Sequence, residues 1–456
     1  MKNLFAPTDM TVGKPWKSII SFSIPMLIGN IAQQLYSTVD SIVVGHYVGD
    51  NALASVGSVL PILNMLLVLF IGISAGASIM VAQYFGAKNR EKLSITIGNC
   101  ITVTAIVSVV LMIIAPPFVR QILTALNTPT SIIDGCANYL VISMVGIAGM
   151  AYYNILSGII RGMGDSVAAL VYLLVATVLN IVLDIWFVAS FNMGVAGVAL
   201  ATIISQFISS FLCLRKLMKM KEYFDLTPGS LKLRKDCVKT LVKLGLPSGL
   251  TQAIMSSAMI VVQSLTNQFG EQFIAANVVV MRVDGFAMMP NLSFGTAMTT
   301  YAGQNIGAKK FDRISVGAKQ GLLISVICST LITSIILLFG KYLMMAFTDT
   351  AELVDLSVHL MKILAAGYIA MAVTQSLSGV MRGAGDTVTP MWISLITTIC
   401  LRIPLAYGIS YLTRTPELPL GHQECIQISL LITWVMGAVL TTIFYLKGNW
   451  KKKSIN

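Results

Sequence analysis

Twelve long apolar segments, separated by mostly short loops, constrain this chain more than any other feature of its sequence. They lie at about residues 18–44, 55–82, 94–117, 133–160, 167–190, 195–214, 244–268, 274–302, 316–346, 353–381, 388–412 and 426–446. A helix needs roughly 20 residues to cross the hydrocarbon of a bilayer. Only 11% of the residues are charged, against about 25% in a soluble domain. The sequence therefore predicts an all-α membrane protein with twelve transmembrane helices, spans 1 to 12, and no soluble domain.

Lysine and arginine residues are concentrated in every second loop. The N-terminal segment, the loops near residues 88–92, 161, 215–243, 309–319 and 382, and the tail from residue 447 hold most of the 31 basic residues. Basic loops stay in the cytoplasm. We predict a multi-pass protein of the cell (inner or plasma) membrane with both termini cytoplasmic, and topology rather than nucleic-acid binding explains the net charge of +12. The N-terminal segment lacks the pattern of a cleavable signal peptide, so span 1 is expected to direct insertion.

Two sequence blocks recur at a common spacing of 221 residues. QYFGAK at 83–88 returns as QNIGAK at 304–309, and SGIIRGMGDS at 157–166 returns as SGVMRGAGDT at 378–387. Each half then has six spans, and an even number makes both halves start on the same side of the membrane. We predict two parallel, pseudo-symmetric six-helix bundles: an N-terminal lobe at 1–214, a basic cytoplasmic connecting loop at 215–243, and a C-terminal lobe with a basic tail at 244–456. Substrate sites in such architectures lie at the repeat interface.

Span 1 contains an acidic residue, Asp40, within an apolar stretch. Tyr36 and Gln33 share its helical face, which we interpret as the lining of a cavity. Placing an ionised Asp near mid-membrane costs at least ~2.5–3.5 kcal/mol on insertion scales. The alternative is an Asp at a helix end that reaches headgroups or water. Pro25 removes one backbone hydrogen bond and predicts a kink in the same helix.

Asp184 is a second acidic residue within an apolar segment of the N-terminal half. Asn180 and Thr177 precede it on the same helical face. Two acids in one half can share a proton or a cation. The alternative is an isolated Asp184 that is hydrogen-bonded into the helix packing.

The C-terminal half lacks counterparts of these acids. Positions 262, 401 and 405, which the repeat aligns with the polar residues of the first half, hold Val or Leu. Instead, its apolar segments contain Arg282, Asp284 and Arg402. Arg282 and Asp284 are two residues apart and do not face each other on a helix. We predict that these residues pair with other polar groups and hold helices together, with a role in substrate binding as the alternative.

Several glycine motifs have both an enzymatic and a structural interpretation. Gly72-Ile-Ser-Ala-Gly76 matches G-x-S-x-G, but it lies inside span 2 and is better explained as a G-x-x-x-G helix contact, as are the pairs at 158/162 and 379/383. Gly-x-Gly-Asp, at Asp165 and Asp386, is similar to the signature of intramembrane aspartyl proteases. Both copies lie at cytoplasmic span ends, and Asp is a good N-cap. We therefore predict that each carboxylate caps the helix that follows it.

Taken together, these motifs resemble those of the MATE (multidrug and toxic compound extrusion) family. The resemblance is carried by Pro25, the Asp40-Ser-Ile-Val-Val-Gly45 block, the Gly-Ala-Lys turn at 86–88, the doubled Ser-Gly-x-x-Arg-Gly-x-Gly-Asp block and the twelve spans. Asp40 and the Asn180-x-x-x-Asp184 motif are similar to hallmarks of its DinF-like prokaryotic branch. The sodium-coupled branch carries acids in spans 7 and 10, where this chain has Met255 and the sequence YIAMA from residue 368.

The resemblance implies a MATE/MOP-type fold around a V-shaped central cavity and a secondary active antiporter rather than an enzyme. The implied substrates are small organic cations or amphipathic drugs, and a proton or sodium gradient drives their export. The implied coupling residues are Asp40, Asp184 and Asn180, with a monovalent cation at the two acids, and the implied cavity residues are Gln33, Tyr36, Asn154, Thr177 and Thr202. The alternatives are a flippase for lipid-linked precursors and the protease.

Cysteine and histidine usage gives no sign of a metal or disulfide framework. The seven cysteines have no C-x-x-C spacing and the three histidines are scattered, so the cysteines are interpreted as small hydrophobic residues. We predict no cofactor other than the coupling ion, the lipid bilayer as the surroundings, no nucleic-acid partner, and a monomer.

Overall fold

The computed structural model describes residues 7–48, 50–126, 128–348 and 350–455, without the side chains of residues 37, 39–43, 45, 46, 50–54, 60 and 61. The α-helices of these ranges, in chain order, are α1 (Pro15–Tyr47), α2 (Asp50–Gly86), α3 (Arg90–Ile114), α4 (Val119–Ala125), α5 (Ile133–Val145), α6 (Ile147–Gly162), α7 (Ser166–Ile185), α8 (Gly194–Met218), α9 (Pro228–Leu231), α10 (Lys235–Gln268), α11 (Glu271–Gly307), α12 (Phe311–Met345), α13 (Ala351–Gly383), α14 (Val388–Leu395), α15 (Arg402–Leu412) and α16 (Cys425–Lys447). Spans 5 and 11 also contain π-helical turns, at Trp186–Ser190 and Ile396–Leu401.

The helices confirm the prediction of an all-helical membrane protein. Within the described ranges, 11 helical segments are long and apolar enough to cross a membrane, and α5 with α6 makes a twelfth if the pair is one span. That pair is bent by 52° at Gly146, where a side chain would overlap Ile203. Several helices are longer than their apolar segments, because a helix continues past the apolar stretch wherever its polar turns are hydrated or packed. For example, α10 begins at Lys235.

The chain divides into two compact units. The first contains Ile24–Gly249, and the second contains Met10–Ser23 and Leu250–Asn456. Two helices, α1 and α10, therefore each contribute residues to both units. Each also contains a proline, Pro25 or Pro247, close to the point of division. The lobe boundaries expected from the sequence repeat stay a prediction.

Close helix contacts at glycine hold each unit together. In the first unit, a Cβ at Gly72 of α2 would lie 2.7 Å from the carbonyl oxygen of Gly245 in α10, and one at Gly162 of α6 would lie 2.7 Å from that of Ser78. In the second unit, Gly379 of α13 packs against the backbone of Gly295 in α11. These contacts confirm the prediction that the G-x-x-x-G motifs are helix-packing sites.

In each unit, an arginine at the start of a helix binds the segment that precedes a proline-containing helix. In the first unit, Arg90 of α3 makes two hydrogen bonds of 2.8 Å to the carboxylate of Asp225, in the connection before α10. In the second unit, Arg313 of α12 donates to the backbone oxygens of Gly13 at 2.7 Å and Val12 at 2.8 Å, before α1. This contact explains why residues 10–23 belong to the second unit.

Candidate functional site

The first unit contains a buried polar cluster that joins α1, α7 and α8. Asp184 and Asn180 are each only 1% exposed. In the amide orientation that satisfies both of its polar atoms, Asn180 donates to Asp184 Oδ2 at 2.9 Å and accepts from the backbone N–H of Thr202 at 3.1 Å. The hydroxyl of Tyr36 lies 3.3 Å from that of Thr202. Four of the residues expected from the sequence are thereby brought together.

The backbone next to this cluster is irregular. The α-helix α7 ends at Ile185, directly after Asp184, and the chain continues as the π-helical turn Trp186–Ser190. Such turns occur often at functional sites, because they widen the helix and redirect its side chains. No sequence pattern predicted this turn.

The other predicted residues of the first unit are Thr177, Asn154, Gln33 and Asp40. Thr177 donates to the carbonyl of Leu173 at 3.0 Å and Asn154 to that of Met150 at 2.8 Å, so both bond to their own helices. Gln33 is exposed. The backbone at Asp40 is part of α1, but its side chain lies outside the described residues.

The second unit contains a cavity of about 290 Å³ formed by residues of α10, α11, α13, α15, α16 and the π-helical turn of span 11. Its lining combines one acid and one arginine with neutral polar side chains and five methionines. The polar residues are Gln252, Ser256, Gln263, Thr266, Asn277, Asp284, Thr397, Thr398, Arg402, Gln427 and Thr433. The methionines are Met255, Met259, Met281, Met288 and Met371.

Asp284 and Arg402 are the charged residues of this lining. Asp284 lies in the electrostatic field of Arg402, and the hydroxyl of Tyr368 donates to Met361 Sδ at 3.0 Å. Among the described residues, Asp284 Oδ1 and Arg402 Nε are buried without a hydrogen-bond partner. Gln427 donates to Asn277 Oδ1 at 2.9 Å, whereas the Oε1 atom of Gln427 is buried and unbonded within the described ranges.

A single role was predicted for Arg282, Asp284 and Arg402, but the structure places them in different surroundings. Arg282 is exposed and does not line the cavity, whereas the other two face it. The predicted role of these residues in holding helices together stays a prediction. Asn277 and Gln427 were not predicted as site residues, although amides inside apolar segments are a signal of the same kind as Asp184. Among the described residues, no three His, Cys, Asp or Glu side chains form a metal-binding group.

Both aspartates of the Gly-x-Gly-Asp motifs lie at helix starts, as predicted. Asp165 accepts the backbone N–H of Ala168 at 2.9 Å, and its other oxygen lies 3.3 Å from the ammonium of Lys216. Asp386 accepts the backbone N–H of Thr389 at 3.2 Å and an ammonium hydrogen of Lys453 at 2.9 Å. The bond to Ala168 confirms that Asp165 is the N-cap of α7. The N-cap of α14 is Thr387, and Asp386 binds the first turn of that helix from the residue before the cap.

A helical membrane protein with a duplicated half and buried polar groups inside its spans has the architecture of a secondary transporter. The family model MatE matches residues 25–186 and 247–408, once in each half. The chain is 31% identical to the probable multidrug resistance protein YoeA of Bacillus subtilis, over 96% of this chain and 95% of that protein. It is 24% identical to DNA damage-inducible protein F of Escherichia coli over 75% of this chain and 74% of that protein.

Solved structures give the same fold. The chain superimposes with a TM-score of 0.90 on a structure described as the outward-facing conformation of a multidrug resistance MATE family transporter of the MOP superfamily, at 24% identity and covering 98% of this chain and 99% of that chain. The protein therefore belongs to the MATE family of transporters. This membership confirms the predicted fold class and the prediction that the chain is not an enzyme, which removes the protease alternative. The branch within the family is not resolved by these similarities.

Proposed function

We propose that this protein is a secondary active antiporter that exports amphipathic, often cationic organic compounds in exchange for protons or sodium ions. The observation that carries the proposal is the buried Asp184 carboxylate, which Asn180 holds by a 2.9 Å hydrogen bond. A carboxylate inside an apolar helix is costly unless it binds a proton or a cation. The relatives named multidrug resistance proteins, such as YoeA, support organic compounds as the transported substrates.

Coupling in this proposal requires two acids. Asp40 follows Tyr36 by one helical turn in α1, and the Tyr36 hydroxyl reaches Thr202 beside Asn180. Two carboxylates in one low-dielectric pocket repel each other, so they do not both stay ionised unless a cation is bound. Binding of an organic cation then releases a proton, and reprotonation releases the compound. A monovalent metal cation at the same two acids would be exchanged in the same way.

The finer assignments of branch and chemistry belong to the same proposal. Asp40 and the Asn180–Asp184 pair are the features that favour the DinF-like branch, against a weaker overall match to DNA damage-inducible protein F than to YoeA. More than two cavity arginines would favour a flippase for lipid-linked precursors, and among the described residues the lining of the second-unit cavity includes one arginine, Arg402. We favour the antiporter for this reason.

Ethidium transport in everted membrane vesicles tests the proposal. Proton and sodium gradients are imposed separately, and ion movement is recorded when ethidium is added. We expect one of the two gradients to drive wild-type uptake, and Asp184→Asn to abolish it while the protein stays folded. Asp134→Asn, which removes the exposed carboxylate bound to Arg120, is the control and should transport normally. Wild-type transport without either counterflow, or full activity in Asp184→Asn, would contradict the mechanism.

We propose from the basic loops that both termini lie in the cytoplasm. We also propose that the protein is a monomer in the plasma or inner membrane. Single cysteines at Lys232, in the connection before α10, and at Lys451, after α16, are placed in a background without the native cysteines. An impermeant maleimide added to intact cells should label neither, but it should label both in everted vesicles. Efficient labelling of either site from outside would reverse the orientation.

A further inference from the structure

The cavity of the second unit has an unusual charge composition for a site that would bind simple cations. Asp284 and Arg402 both face it and interact electrostatically. They do not form a salt bridge with an N–O distance within 4.0 Å in the described residues. The cavity therefore presents one negative and one positive group separately, rather than a neutralised pair.

Three residues that line this cavity each have a buried polar atom without a hydrogen-bond partner among the described residues. Asp284 Oδ1 and Gln427 Oε1 are acceptors, and Arg402 Nε is a donor. Gln427 is 2% exposed and lies on α16, whereas the two charged residues lie on α11 and α15. An unpaired buried polar group costs stability, more so if it is charged. Groups of both polarities on three helices that meet at one cavity indicate a site completed by a ligand.

We infer that the second-unit cavity binds an amino-acid-sized zwitterion, with its protonated amine at Asp284 and Gln427 and its carboxylate at Arg402. A ligand with only a positive charge would satisfy the two acceptors and be repelled by Arg402. A ligand with only a negative charge would be repelled by Asp284. A zwitterion satisfies all three groups, because it supplies N–H donors to the acceptors and a carboxylate to the guanidinium.

The rest of the lining suits an apolar body attached to these charges. Five methionines surround the cavity together with Trp434, and methionine side chains adapt to differently shaped apolar ligands. The cavity volume of about 290 Å³ is at the lower end of the range of roughly 300–1,000 Å³ for small-molecule sites. A molecule of the size of an aromatic amino acid is therefore favoured over a larger lipid-linked compound.

The inference deepens the proposed function, since it names a second class of transported compound, but binding at this cavity does not depend on ion coupling. A binding measurement on the purified protein therefore separates the two. If the wild-type protein exports ethidium but does not bind the zwitterion, this inference alone is refuted. If it binds the zwitterion but shows no gradient-driven export, the proposed function alone is refuted.

Three indole compounds of similar size but different charge test the inference. Tritiated tryptophan is a zwitterion, tryptamine a cation and indole-3-propionate an anion, and each is measured by equilibrium binding or competition with the full-length protein in detergent. Tryptophan should bind roughly 10- to 100-fold tighter than either singly charged compound, because each of these leaves a buried charged group unpaired. Equal binding of tryptamine and tryptophan, or no saturable tryptophan binding, would overturn the inference.

Substitutions at both charged groups add a second readout. Arg402→Gln should remove the preference for tryptophan over tryptamine, and Asp284→Asn the preference for tryptophan over indole-3-propionate. Asp355→Asn on α13 and Arg414→Gln after α15 change exposed charges that do not line the cavity, and they should bind as wild type does. If Arg402→Gln fails to fold, the conservative Arg402→Lys, which keeps the charge, should retain the preference. Unchanged charge selectivity in a folded Arg402→Gln protein would refute the assignment.

Discussion

The two units share their packing and differ in their polar chemistry. Each unit has a glycine pair on one helix pressed against a neighbouring backbone, at Gly158 and Gly162 in the first and at Gly379 and Gly383 in the second. Each has an aspartate in the turn between two helices that binds the start of the next helix. By contrast, the first unit buries Asp184 beside Asn180. The second unit contains a cavity that is lined by Asp284 and Arg402.

The difference shows that the sequence repeat specifies the scaffold rather than the site. Span 5 and span 11 both contain a π-helical turn, but Asp184 precedes the first turn whereas Arg402 follows the second. Span 4 is divided into α5 and α6, whereas span 10 is the continuous helix α13. One backbone plan therefore presents different side chains in each half, which is expected if ion coupling and ligand binding are divided between them.

The largest difference between the units is expected when Asp184 of the first unit and Asp284 of the second are each replaced by asparagine. Asp184→Asn should abolish ion counterflow, since Asn keeps the hydrogen-bonding shape but does not exchange a proton. Asp284→Asn should retain counterflow driven by ethidium, because the proposal places the coupled ion at Asp184 in the first unit, whereas Asp284 lines the cavity of the second unit. Counterflow is recorded with a pH-sensitive or sodium-sensitive dye inside proteoliposomes. Loss of counterflow in Asp284→Asn alone would place coupling in the second unit.

Glycine-to-alanine substitutions should destabilise the two units to different extents. This effect should be smaller than the loss of ion counterflow. A Cβ at Gly379 would overlap the backbone carbonyl of Gly295. One at Gly158 would overlap the Ser74 side chain and lie 3.1 Å from the Ser74 carbonyl oxygen, a less severe backbone contact. A side chain can rotate away and a helix backbone cannot, so Gly379→Ala should be the more destabilising, at about 1–3 kcal/mol. Melting temperature in detergent measures this.

The matched glycine control is Gly340 of α12, which has nothing within 4 Å of an added Cβ. Gly340→Ala should be neutral or slightly stabilising, because alanine has the higher helix propensity. A loss of stability at Gly340 equal to that at Gly379 would show that the close contact is not the cause.

How much of this molecule could be predicted from sequence follows from the range of the forces involved. Span positions depend on local hydropathy, so all twelve segments have helical counterparts. Asp184 and Asn180 could be placed together because one helical turn separates them. The meeting of Asn277 with Gln427 could not be predicted, since it depends on how α11 packs against α16. Nor could the π-helical turns, which arise from packing rather than from local composition.

The capping aspartates should give a smaller, unequal effect in the two units. Asp165→Asn and Asp386→Asn should each cost about 0.5–2 kcal/mol and leave measurable export. The first should cost more, because the Lys216 side chain is 15% exposed and stays poorly hydrated when its partner is removed, whereas Lys453 is 44% exposed. Chemical denaturation monitored by tryptophan fluorescence measures both, and a larger loss at Asp386 would contradict this explanation.

The smallest expected effect is a difference in how melting temperature depends on pH. It compares the contact of Arg90 with Asp225 and the contact of Arg313 with the backbone before α1. The hydrogen bond from Arg90 lowers the pKa of the Asp225 carboxyl in the connection before α10, whereas Arg313 binds backbone oxygens that do not titrate. A carboxyl whose pKa is lower in the folded state contributes stability above its unfolded pKa of about 3.9, and that contribution is lost as the pH falls through the folded value. The melting-temperature difference between wild type and Asp225→Asn should therefore be small at pH 7, decrease below about pH 4, and shrink with added salt because the pair is exposed. The difference for Arg313→Gln should persist over the same range. If the melting-temperature difference for Asp225→Asn stayed constant down to pH 3, the carboxylate would not be the source of the stabilisation. Arg90 would then act through its bonds to the backbone oxygens of Lys221 and Glu222.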